Sequence, residues 1–217
     1  KIPKRSRLNL KGMGFIRRFQ IRQIIRELRT SVTVIFGMFI CLLVFMLGMN
    51  CYILCQNIKT ENSEDTKFGY MYTLKYPEKE VPENAEACYT ESLSKKYMGN
   101  TLDVNIIGVD DENKYYPEIS VKGKSSIAVS SSVAEKYNLS EGDKLILSDT
   151  ANDMDYAFTV EEIVDYSVGL SVFMDIESMR ELFLKEDDYY NMLLSEEELD
   201  IDMGRVYSVT TKADIEK

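Results

Sequence analysis

The sequence predicts an α+β protein: an N-terminal amphipathic helix and one transmembrane helix, followed by a mixed α+β domain outside the cytoplasm. Three observations carry this. The stretch Thr30–Ile58 contains no charged residue over 29 positions, whereas a bilayer core needs about 20 helical residues. The charges divide sharply around it: residues 1–30 hold ten Lys or Arg and one acid, while the remaining 187 residues hold 16 Lys or Arg and 35 acids. Beyond the apolar stretch, short alternating segments are interleaved with short helical ones, which is the pattern of a mixed fold.

Residues 1–14 are basic and include Pro3, Gly12 and Gly14; they read as a cytoplasmic linker. In residues 15–29, Phe15, Ile16, Phe19, Ile24, Ile25 and Leu28 recur at roughly helical spacing. Arg17, Arg18, Arg22, Arg26 and Arg29 occupy much of the rest of the circumference. Such a helix suits the inner membrane interface, apolar side in lipid and arginines at anionic headgroups. The alternative is a cytoplasmic extension of the helix that follows. Arginines this close to a membrane anchor are explained by the positive-inside rule, so no nucleic-acid partner is expected.

Residues 30–58 form the expected transmembrane helix. A cleavable signal peptide has a shorter apolar region and a small-residue cleavage site; Ser31–Leu54 contains no alanine and no such site follows. Basic residues before the span and Lys59, Glu61, Glu64 and Asp65 after it place the N-terminus in the cytoplasm and the acidic body outside. Tyr52 falls near the outer interface. Cys41, Cys51 and Cys55 read as small apolar fillers, and a bond between Cys51 and Cys55 within one helix would be strained.

Residues 59–217 are the outer domain, beginning with a polar connection at Lys59–Lys67. Phe68, Tyr70, Tyr72, Leu74 and Tyr76 alternate as the aromatic face of a strand, which Pro77 ends. A helix is expected over Asn84–Met98 and a strand over Thr101–Asp110. Ser125–Ser130 reads as a strand, followed by a helix over Val133–Tyr137 capped by Ser131. Strands are expected at Lys144–Ser148, Tyr156–Tyr166 and Ser171–Asp175. Asp175 then caps a helix bearing Ile176, Met179, Leu182 and Phe183. Asn191–Ser195 and Arg205–Thr210 are the last strands, and Thr211–Lys217 begins a helix. Eight segments in all read as strands.

Catalytic chemistry finds little support. The chain has no His and no Trp, which removes His-based triads and His metal sites. Three acidic clusters stand out: Asp110–Glu112, Glu186–Asp188, and Glu196–Glu198 with Asp200 and Asp202. Asp200-x-Asp202-x-Gly204 resembles part of a calcium loop but lacks the bidentate Glu. Ser130–Ser132 have no base to activate them. No P-loop signature occurs. No catalytic, cofactor-binding or metal-binding residue is therefore assigned, and the chain reads as a non-enzyme. The lone outer-domain cysteine, Cys88, has no obvious partner.

Several segments carry a family resemblance. RFQIRQIIRELRTSVTVIFGMF, SSIAVSSSVAEKYNLSEGDKLILS, YAFTVEEIVDYSVGLSVFMDIESMRELF and YNMLLS, in that order, resemble the FtsX-like permeases of ABC transporters, the group that includes MacB and the lipoprotein-releasing permeases. The resemblance implies a permease subunit with further membrane helices or a second permease repeat. It also implies a separate cytoplasmic ATPase subunit, and coupling of ATP hydrolysis to export or to mechanical signalling outside the membrane. A peptide, lipid or cell-wall enzyme would be the outer partner, membrane lipids the surroundings, and a Gram-positive cell membrane the location. This chain departs from the complete pattern in having one membrane helix, which fits a piece of a longer permease. The alternative is a single-pass receptor or anchor with an extracellular sensing domain.

Overall fold

The computed structural model describes residues 14–77 and 80–215; the basic linker expected over residues 1–14 lies almost wholly outside them. The described residues fall into two units, divided between Gln56 and Asn57.

The first unit is built on α1, Phe15–Asp65, a helix of 51 residues that continues into the second. The backbone is helical without a break from Phe15, so the basic segment and the apolar run belong to one helix. Every described side chain from Thr30 to Glu61 is exposed. This is the one helix among the described residues long and apolar enough to cross a membrane. A helix apolar on all sides, with no protein covering it, is the pattern of a membrane span rather than of a soluble core. Cys41, Cys51 and Cys55 on it are free thiols.

The second unit contains nine strands: β1 Tyr70–Leu74, β2 Glu86–Tyr97, β3 Asn100–Val109, β4 Ser126–Ser130, β5 Lys144–Asp149, β6 Met154–Val164, β7 Ser171–Asp175, β8 Met192–Ser195 and β9 Val206–Thr211. Three short helices accompany them: α2 Ser131–Tyr137, α3 Ile176–Leu182 and α4 Lys212–Ile215. The strand order is β3-β7-β4-β6-β5-β2-β8-β1-β9, with β3 also paired to β2. That extra pairing closes β2, β3, β7, β4, β6 and β5 into a ring. β2 belongs to both parts: Glu86–Cys88 pair with β8, and Tyr89–Tyr97 pair with β3. The closing seam between β2 and β5 has a single backbone register pair, Ser94 with Ser148. Side chains reinforce it, with Ser94 Oγ donating to Ser148 O at 3.1 Å and Lys95 Nζ to Ile146 O at 3.2 Å.

The alternation of the strands explains the packing. Val104 and Ile106, Ile127 and Val129, Leu145 and Leu147, Phe158 and Val160, and Val172 and Met174 point into one core with Val133 and Ala134 of α2. Their neighbours Ile107, Val109, Ala128 and Phe173 point the other way into a second core with Tyr116 and Tyr166. Strands buried on both faces read as continuous apolar runs, whereas β5, with one buried face, alternates. Gly108 lets α3 approach β3, because a Cβ there would lie 3.1 Å from both Ile176 Cγ1 and Met179 Sδ.

Four expectations about particular segments need correction. Asn84–Met98 is not a helix: Glu86–Tyr97 is strand β2. Tyr89 and Leu93 are four apart, a spacing that suits one face of either a helix or a strand, and pairing with β3 decides it. Met98 and Gly99, at φ 48° and 85°, form the two-residue hairpin loop that sets this register. The polar connection Lys59–Lys67 is helical as far as Asp65. The cap of α2 is Ser130, whose side chain accepts from Val133 N–H, rather than Ser131. β1 also ends at Leu74, leaving Tyr76 exposed.

Candidate functional site

Two features of the second unit bear on function. One is the end of α1. The Asp65 carboxylate accepts from both the backbone N–H and the hydroxyl of Ser167, each at 2.6 Å. Bonds to an ionised acceptor are short and strong. The next residue, Thr66, is fully buried. Its hydroxyl donates to Asn62 O at 2.7 Å, and its carbonyl accepts from Lys212 Nζ at 2.8 Å.

Ser167 lies in the loop between β6 and β7. That loop is held in turn by the serine run at the start of α2. Ser131 Oγ accepts from Tyr166 N–H at 3.3 Å and lies 3.1 Å from Tyr166 O, to which it donates. Ser132 Oγ donates to Gly169 O at 2.7 Å. The serines that had no catalytic partner in sequence thus act as cap and loop ties. They fix the loop that receives Asp65.

The second feature is a cleft of about 670 Å³ where β2 leaves the ring for β8. Glu83, Glu86, Asp110, Glu112, Glu196 and Glu197 line it, with Lys114, Tyr115 and Arg180. The structure therefore joins parts of two acidic clusters, Asp110–Glu112 and Glu196–Glu197. Glu186–Asp188 are not among the lining residues. Glu86 is half-buried, and burial holds its carboxyl above the usual range, opposed by the backbone N–H of Lys114. That N–H lies 3.2 Å from Oε2. Burial also raises the Tyr115 phenol, helped by the nearby Glu196 charge. Sequence reasoning missed Glu86, Lys114 and Arg180, because Glu86 sat in a segment assigned to a helix.

Cys88 also lines the cleft, is 3% exposed, and burial pushes its thiol far up. A thiol held neutral in this way is a poor nucleophile. Asp202 Oδ1 accepts from Gly204 N–H at 2.9 Å, an ordinary turn contact. Among the described residues no group of three or more Cys, Asp or Glu converges in a way that could hold a metal.

No family model and no curated protein sequence matches the chain. Among solved structures, the chain is similar to the extracellular domain of the noncanonic ABC-type transporter YknZ from Gram-positive bacteria, at 13% identity and a TM-score of 0.38, covering 62% of this chain and 86% of that one. It is also similar to the periplasmic region of MacB from Actinobacillus actinomycetemcomitans, at 9% identity and a TM-score of 0.38, covering 72% of this chain and 95% of that one.

Proposed function

We propose that the chain is part of a permease subunit of an ABC transporter: its membrane span together with a non-catalytic outer domain that transmits movement. The observation that carries this is the single helix Phe15–Asp65, which contains the basic segment and the apolar run and ends in hydrogen bonds to Ser167 of the outer unit. A sensing module on a flexible stalk would have no use for a helical connection ending in such a tie. The charge asymmetry supports a cytoplasmic N-terminus and an outer domain outside the cell membrane. In this reading a separate ATPase acts at the cytoplasmic face, further permease helices cover the exposed span, and the basic segment 15–29 extends the span toward the cytoplasm. A peptide, lipid or wall enzyme outside is the object of the work.

The test is to purify the tagged parent protein from its own cells in mild detergent, identify what accompanies it, and measure ATP hydrolysis. A stoichiometric ATPase is expected. Reproducible purification without any ATPase would overturn the reading and favour the receptor.

A further inference from the structure

We propose that the last turns of α1, residues 57–65, are a conditional helix, formed while Asp65 is latched to Ser167 and released to a flexible tether when it is not. The sequence Asn-Ile-Lys-Thr-Glu-Asn-Ser-Glu-Asp is a poor helix end. The C-terminus of a helix carries partial negative charge and favours cations. Here Glu61, Glu64 and Asp65 fall in the last turns, and the final turn holds no basic residue. Thr, Asn and Ser compete with the backbone for its own hydrogen bonds. No apolar side chain follows Ile58 within the helix to anchor it by packing. Asn62 Oδ1 is buried without a hydrogen-bond partner, a further cost of this conformation.

What opposes these costs is tertiary. Asp65 accepts two 2.6 Å bonds from Ser167. Thr66 is buried, and its carbonyl is held by Lys212. Ser131 and Ser132 fix the loop that presents Ser167. Asp65 at the end of the helix and Thr66 just beyond it make these contacts, a geometry in which losing the latch loosens the preceding turns.

Release changes reach. Helix rises about 1.5 Å per residue and extended chain about 3.3–3.6 Å, so the same residues span roughly twice the distance once unlatched. Latched, the segment passes displacement of the span to the β6–β7 loop; unlatched, it absorbs it. This use rests on the permease reading above, but the conditional helix does not.

The experiment is hydrogen exchange on the full chain in lipid nanodiscs, with no ATPase present, so its outcome is independent of whether such a partner exists. Ser167→Ala is expected to speed exchange of the amides of residues 58–65 about tenfold, the scale of one lost charge-assisted bond. Exchange in β4 should stay unchanged, showing an intact fold. Adding Glu64→Lys to Ser167→Ala places a cation in the last turn and is expected to slow exchange back toward wild type. Wild-type exchange rates over 58–65 in Ser167→Ala would overturn the proposal, as would failure of Glu64→Lys to slow them.

Discussion

At the scale of single residues, Asn62 Oδ1 and Tyr137 Oη are buried in the second unit without a hydrogen-bond partner. Glu86 has one, yet desolvation outweighs the help of Lys114 N–H and raises its carboxyl. The folded state then holds its proton to higher pH than the unfolded chain does. Between the ordinary carboxylate value and the raised one, stability falls as pH rises. Glu86→Gln should therefore melt at the same temperature as wild type near pH 4 and at a higher one at pH 7, in thermal scans across that range. A variant less stable than wild type at pH 7 would show that the charge is satisfied in the cleft. Residue roles were only partly legible beforehand. Asp175 was readable as a cap because it directly precedes an apolar helical pattern, and its side chain does accept from Ser178 N–H at 2.9 Å. Ser130, Ser131 and Ser132 were not separable, because three adjacent hydroxyls offer the same chemistry and only the β6–β7 loop, far away in sequence, assigns them.

At the scale of elements, legibility followed burial. β4, β5, β6 and β7 were readable from their apolar patterns, since each buries a regular set of Val, Ile, Leu or Phe. β2 was not, because its first residues pair in one sheet and the rest in another, and its Tyr89–Leu93 spacing fits two periods. The ring closure was illegible because its seam uses Ser94, Lys95 and Ser148 rather than apolar side chains. The cleft was hidden for the same reason: Glu86, Asp110 and Glu196 are brought together only by the crossing of β2. The hairpin joining β2 to β3 offers a test. Met98 sits at φ 48° and is 84% exposed, in a left-handed conformation that suits Asn far better than Met. Met98→Asn would create the Asn-Gly pair favoured in such two-residue loops. It should stabilise the domain by roughly 0.5–1 kcal/mol, read as an increased denaturation midpoint with unchanged slope. A lower midpoint would mean that the Met98 side chain makes a contact worth more than the backbone strain.

At the scale of the whole chain, topology is the first quantity to measure. Cys88 is unsuited to report it, being buried and held neutral, so a membrane-impermeant maleimide should label it slowly whichever side it occupies. Glu135→Cys on the exposed side of α2 is the better probe, with Cys41, Cys51 and Cys55 replaced by Ala. Rapid labelling of intact cells is expected, and labelling only after permeabilisation would reverse the orientation. The order of the strands also governs how the domain comes into being. β1 is the first strand made, yet both its neighbours, β8 and β9, lie at the far end of the sequence. At about 5–20 residues per second, synthesis of the intervening chain takes roughly 7–30 s. Through that interval Tyr72 and Leu74 have no sheet to enter, while the membrane helix before them is already made. A nascent chain with an uncovered aromatic strand is a substrate for chaperones and proteases. The late pairing of β1 makes completion of the last strands the event that ends this exposure.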